Sequence, residues 1–140
     1  MHPERTRIAG LNFSDKRPVL GEDITIAGYL QWYDQKGKRW EPVERKRIEL
    51  YIDNVKMAES NTDYSGSFEF EHSIDEPGEH VVEVKFPGFR EYFLECSKAR
   101  TLRAITAEEK RRIEKLTNIV FLSALLLILL LIIFSFWFSK

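Results

Sequence analysis

Ile119 to Phe138 reads IVFLSALLLILLLIIFSFWF, a stretch with no charge and only Ser123 and Ser135 among its apolar side chains. At about 1.5 Å per helical residue it spans roughly 30 Å, the hydrocarbon thickness of a bilayer. In lipid every backbone amide and carbonyl needs an internal partner, which a helix supplies by itself. Only Ser139 and Lys140 follow. The chain is therefore expected to be a folded head on one C-terminal membrane helix. The span carries no GxxxG pattern and no ionisable residue, so it reads as an anchor rather than a dimerisation face or an ion path. Phe134, Phe136, Trp137 and Phe138 gather at its far end, where Trp suits a membrane interface.

The flanking charges predict sidedness. Arg100, Arg103, Lys110, Arg111, Arg112 and Lys115 precede the span, and Lys140 alone follows it. Basic residues stay on the cytoplasmic side, which places the head in the cytoplasm. The opening MHPERTRIAGLNFSDKRPVL lacks the basic, apolar and cleavage-site order of a secretory signal, so insertion is expected after synthesis, as in tail-anchored proteins. Cys96 is the only cysteine, so no intramolecular disulfide is available, which suits a reducing compartment. The alternative is an outward-facing adhesion or spacer module at the cell surface.

Thr106-Ala107-Glu108-Glu109 reads as a capping box, with acidic residues in the first turn where the helix dipole favours them. One helix is predicted from about 107 to 139. Residues 107–118 form a stalk and 119–138 the span, with i, i+4 pairs at Glu108–Arg112 and Lys110–Glu114. Such a stalk would hold the head within about 20 Å of the headgroups. Lys110, Arg111, Arg112 and Lys115 are candidates for contact with anionic lipid headgroups. Their commoner role is that of an ordinary topology flank.

Residues 1–106 read as strands. Ile24, Ile26, Gly28, Leu30 and Trp32 alternate with Thr25, Ala27, Tyr29, Gln31 and Tyr33, ahead of a turn at Gln35-Lys36-Gly37-Lys38. Ile48, Leu50 and Ile52 alternate with Glu49 and Tyr51, and further turns lie at Asp63-Tyr64-Ser65-Gly66 and Glu76-Pro77-Gly78. Short alternating runs between Gly, Pro, Asn and Asp predict a β-sandwich. Phe68, Phe70, His72 and Ile74 share one face, as do His80, Val82, Val84 and Phe86. Pairing Ile74 with His80 across Glu76-Pro77-Gly78 puts both sets on one side of a hairpin. Tyr92, Leu94 and Cys96 are expected to point inward on the next strand, and Thr101 to Ile105 to form the last.

Three segments carry a resemblance: Arg47-Ile48-Glu49-Leu50-Tyr51-Ile52-Asp53, the turn and strand Thr62-Asp63-Tyr64-Ser65-Gly66-Ser67-Phe68-Glu69-Phe70, and the run from Pro77-Gly78 to Pro87-Gly88. In this order they resemble the Ig-like and transthyretin-like modules related to the carboxypeptidase regulatory domain, over roughly residues 20 to 98. The resemblance implies an all-β, seven-stranded Ig-like (transthyretin-like) β-sandwich followed by the long membrane-spanning helix. It also implies a non-catalytic spacer or interaction domain. Such modules are often attached to secreted proteins, and this chain departs from them in lacking an export signal.

Catalytic chemistry finds no foothold. GxSxG, HExxH and phosphate-cradling glycine loops are absent. Asp53 and Asp63 lack the dense acidic spacing of a calcium loop, and turn formation accounts for Asp63. His72 and His80, neighbours in the predicted hairpin, with Cys96 or a Glu as third ligand, are the candidates for a metal- or ligand-binding head. No Cys/His spacing supports them, and a histidine at the end of a sandwich is commoner. No cofactor or metal is expected. Residues 1–106 hold 16 Lys and Arg against 19 Asp and Glu, a balance that argues against nucleic acid. Tyr29, Trp32, Tyr33, Trp40 and Tyr51 are the candidates for contact with a protein partner in or on the membrane, since Trp and Tyr favour interfaces. Cross-strand packing is the competing role.

Overall fold

Alternate apolar side chains dictate the strands, because an extended chain presents every second residue to the same side. In the computed structural model, which describes residues 2–139, the described residues form β1 (Thr6–Phe13), β2 (Asp23–Asp34), β3 (Arg39–Pro42), β4 (Arg47–Ile52), β5 (Val55–Asn61), β6 (Ser67–Ser73), β7 (Gly78–Phe86), β8 (Cys96–Ala104) and α1 (Ala107–Phe138). The chain divides into two units, the first ending at Ile105 and the second beginning at Thr106.

The strands make two antiparallel sheets. The first runs β1-β2-β3, with β6 also on β2, and the second runs β5-β4-β7-β8. β2, at 12 residues, takes two partners along one side. Its Asp23–Tyr29 half pairs with β6 and its Gln31–Asp34 half with β3. β1 occupies the other side, with Thr6 opposite Trp32 and Phe13 opposite Ile26. Two glycines permit this arrangement. Gly28 lies opposite Phe68, and a Cβ there would stand 2.8 Å from the Phe68 ring. Gly66, at φ +76°, accepts the Leu30 amide at 2.8 Å, and its own Cβ would meet the Leu30 carbonyl oxygen at 2.5 Å.

Ile26, Leu30, Ile48, Leu50, Val82, Val84, Phe68 and Phe86 are buried in one core between the sheets. Each such side chain contributes about 1.5–3 kcal/mol relative to exposure. Eight strands are present among the described residues rather than the seven expected. β1, β3 and β5 show no clean alternation. In β1 a register shift between Ala9 and Asn12 interrupts the pattern, with Gly10 at φ +62°.

The expected hairpin of Ile74 with His80 does not form. β6 pairs with β2 while β7 pairs with β4 and β8, so residues 74–77 cross from one sheet to the other. Both strands do bury the predicted side chains, Phe68, Phe70 and Ile74 on one and His80, Val82, Val84 and Phe86 on the other. Alternation specifies which side chains face the core, and two strands facing it from opposite sheets carry the same pattern as two that pair. The segment before β8 needs a second correction. Tyr92 and Leu94 are exposed, whereas Phe93 packs on the core beside Phe89. The chain loops there, with Gly88 and Arg90 at positive φ and Glu4 hydrogen-bonded to both Tyr92 and Leu94. β8 then begins at Cys96, ahead of the predicted Thr101. Lys98 and Arg100, opposite Val84 and Val82, lie on its core-facing side yet are exposed. Charges so placed discourage further strands from adding to an edge.

α1 begins as predicted. Thr106 Oγ1 accepts the Glu109 amide at 3.1 Å. Among the described residues the expected Glu108–Arg112 and Lys110–Glu114 pairs are not within ion-pair distance. Among the described residues α1 is the one helix long and apolar enough to cross a membrane, and none of its residues is buried. Ser123 Oγ donates to the Ile119 carbonyl at 2.8 Å, so its hydroxyl is satisfied inside the helix.

Candidate functional site

The outward positions of the two sheets differ in how their charges are met. On the second sheet Lys56 pairs with Glu49 at 2.9 Å and also with Glu59. Arg47 lies 3.9 Å from Glu49, and Lys85 pairs with Glu83 at 3.2 Å while its ammonium stands 4.3 Å over the Tyr51 ring. These contacts follow from register, since Glu49 faces Glu59 and Lys85, and Tyr51 faces Lys56 and Glu83. The paired groups shift accordingly. Hydrogen bonds donated by Lys56 to Glu59 and Glu49 raise the pKa of its ammonium, and Lys56 holds the Glu59 carboxyl low. This face is a closed charge ladder.

The first sheet presents aromatic rings and uncompensated arginines around Tyr33 and Trp40, and exposed Glu69 and Glu71 at its other end, opposite Ala27 and Thr25. Tyr33 and Trp40 are cross-strand partners, their rings 5.3 Å apart and edge to face. The Arg5 guanidinium lies 4.8 Å from the Tyr33 ring and 5.3 Å from that of Trp40, and Arg7 lies 4.0 Å from Trp40. Backbone pairing continues one residue before β1, where the Arg5 carbonyl accepts the Tyr33 amide at 2.9 Å. Arg7 Nε donates to Gln31 Oε1 at 2.9 Å. Among the described residues neither arginine has a carboxylate within ion-pair distance. Tyr29, 46% exposed, follows along β2 on the same face.

The five aromatic candidates are thus divided. Tyr29, Tyr33 and Trp40 share the first sheet's outer face. Trp32 turns to the core side and tilts against Phe93 at 6.2 Å, and Tyr51 lies on the second sheet beneath Lys85. Arg5 and Arg7 were missed by sequence reasoning. Their signal is the spacing Arg5-Thr6-Arg7-Ile8, with Thr6 and Ile8 buried, which the irregularity near Gly10 cuts short. On α1, about 100° of turn per residue brings Arg111, Arg112 and Lys115 onto one stripe with Glu108 and turns Lys110 away from it.

The histidines occupy a different place. His72 on β6 and His80 on β7 both line a crevice of about 310 Å³, together with Val55, Met57 and Ile74. His80 Nδ1 lies 2.5 Å from Asp53 Oδ2, and its Nε2 lies 2.7 Å from the Glu76 carbonyl oxygen. Both neighbours are acceptors, so the ring satisfies both only as an imidazolium. The Asp53 carboxylate, with help from the Glu76 carbonyl, raises the His80 pKa. The Val81 amide, and then His80, hold the Asp53 carboxyl low. This link ties the Asp53–Asn54 turn to the crossover at Glu76. It leaves His80 no free nitrogen for a metal, and no group of three or more His, Cys, Asp or Glu among the described residues is arranged to hold one. Cys96 is half-buried elsewhere, and burial pushes its thiol pKa up.

No protein-family model matches the chain. An uncharacterized protein of Archaeoglobus fulgidus is 31% identical to it over 132 residues, which cover 94% of this chain and 90% of the relative. A match of that extent takes in both the strands and α1. The chain belongs to the same protein family as this archaeal relative.

Proposed function

We infer that the protein is a non-enzymatic, single-pass membrane protein whose β-sandwich serves as an interaction module. The observation that carries this reading is the outer face of the first sheet, where Tyr29, Tyr33 and Trp40 gather with Arg5 and Arg7. Trp, Tyr and Arg are the residue types that dominate binding energy at protein interfaces. The opposite sheet satisfies its own charges and offers no comparable set. An Ig-like, transthyretin-like assignment is supported by the two antiparallel sheets and by crossovers between them at residues 43–46, 62–66 and 74–77. A membrane-anchored role is supported by the length and composition of α1. A cytosolic head is supported by the six basic residues before the span against Lys140 after it. The protein would act as an accessory subunit of a larger membrane complex.

Capture of partners from mild-detergent extracts tests the interaction role. Full-length protein should co-purify with a defined membrane partner that is lost from Tyr29→Ala and Trp40→Ala variants of unchanged stability. An undiminished partner would remove the assignment to this face. Protease digestion of sealed vesicles tests sidedness, and a head cleaved from outside intact cells would move the module to the cell surface.

A further inference from the structure

The geometry points to the outer face of the first sheet as the docking site for an acidic peptide segment of a partner protein, gripped by the guanidinium groups of Arg5 and Arg7. This rests on the interaction role above and adds the chemistry of the partner. Both arginines are exposed, and neither has a carboxylate partner. An arginine placed over an aromatic ring is held by the ring's negative face and keeps N–H donors at its edge, which for Arg7, whose Nε donates to Gln31, are those of the two terminal nitrogens. That edge is a planar fork matching a carboxylate through two parallel hydrogen bonds. Tyr33 and Trp40 therefore act as a platform that pre-orders the fork, so little side-chain freedom is lost on docking.

The same stacking separates an acidic peptide from nucleic acid. Bases bind sheet platforms by stacking on open rings, and here Tyr33 and Trp40 already carry guanidinium groups. Exposed Glu69 and Glu71 also lie on this face beyond Tyr29, which disfavours a polyanion long enough to run the length of the sheet and leaves room for a short acidic segment at the arginines. Tyr29 lies one outward step along β2 from Gln31, the residue that Arg7 faces. The step is roughly 7 Å, the side-chain repeat of an extended peptide. A segment with a carboxylate over the arginines and a small apolar side chain over Tyr29 fits this layout.

The test uses full-length protein in phosphatidylcholine nanodiscs and a fluorescent peptide of alternating Glu and Ala, read by anisotropy. Binding should weaken as salt is raised and vanish when Gln replaces Glu in the peptide. Arg5→Gln with Arg7→Gln should weaken it by about tenfold or more, the scale of one charge-assisted hydrogen bond. Arg5→Lys with Arg7→Lys should recover only part of the loss, because the fork is gone while the charge remains. Lys56→Gln with Lys85→Gln removes the same charge from the other sheet and should leave affinity unchanged. Equal loss from both pairs would overturn the proposal. So would tighter binding of oligo-dT, or of discs containing phosphatidylserine, that depends on Arg5 and Arg7. If the Glu peptide fails to bind while Trp40→Ala still releases a captured protein partner, the acidic chemistry is wrong and the interaction role stands. If Trp40→Ala releases nothing, both fall.

Discussion

The two sheets of the sandwich grow from the same period-two pattern, and their outer faces are nevertheless opposites. On the second, Lys56, Lys85 and Arg47 each meet a carboxylate, and Glu49 is buried beneath them. On the first, Arg5 and Arg7 lie on Tyr33 and Trp40 with no acid in reach. A face whose charges cancel internally gains little by covering itself with a partner, because docking would disrupt pairs already made. A face that holds cations over aromatic rings has hydrogen-bonding capacity left over. The difference lies in the register partners across strands, since basic residues occur on both.

The largest effect should separate the inner from the outer side of the β2–β3 hairpin. Trp32→Ala removes a ring packed against Phe93 and the core and should cost about 3 kcal/mol of stability, read by urea unfolding. Trp40→Ala, eight residues on but facing outward, should cost about 1 kcal/mol and act mainly on partner binding. Equal losses of stability from the two would show that Trp40 belongs to the core and not to a free face.

The link at the end of the second sheet is the next most sensitive point. His80→Ala should cost about 2 kcal/mol, since charged hydrogen bonds to Asp53 and to the Glu76 carbonyl are lost together. The folded state raises the His80 pKa. Its contribution is therefore full below the ordinary value of 6.5 and fades as pH rises through the raised one. The Asp53 contribution, with its carboxyl held low, is present above 3.8 and fades only as pH falls through the lowered value. Thermal unfolding of wild type should show a decline on the alkaline side of 6.5 that His80→Ala lacks. Parallel pH curves for the two proteins would remove His80 as the source.

The smallest effect belongs to the closed ladder. Lys85→Gln should change stability by less than about 0.5 kcal/mol, because an exposed pair gains little in water. A much larger loss, measured by thermal unfolding, would mean that the second face depends on its charges for more than solubility.

Much of the core was legible. Ile24, Ile26 and Leu30, Ile48, Leu50 and Ile52, and Val82, Val84 and Phe86 are buried as their alternation predicts. What alternation leaves open is the neighbour, which is why β6 and β7 were paired in expectation and stand in different sheets. β1 stayed hidden because its irregularity near Gly10 breaks the period, and the part of β8 before Thr101 because Lys98 and Arg100 occupy its core-facing side. The site was legible only in part. Tyr29, Tyr33 and Trp40 were singled out from their type and position, whereas Arg5 and Arg7 come to them through the pairing of β1 with β2.

Local rules thus determined the capped helix, its apolar span and the inward-facing residues of four strands, since each depends on neighbours within a turn or a pleat. The tertiary structure alone decided which strands share a sheet and that two arginines from the start of the chain cover a ring pair some thirty residues away. Those outcomes rest on contacts between residues distant in sequence, where pattern constrains the face a side chain takes and leaves its partner to packing.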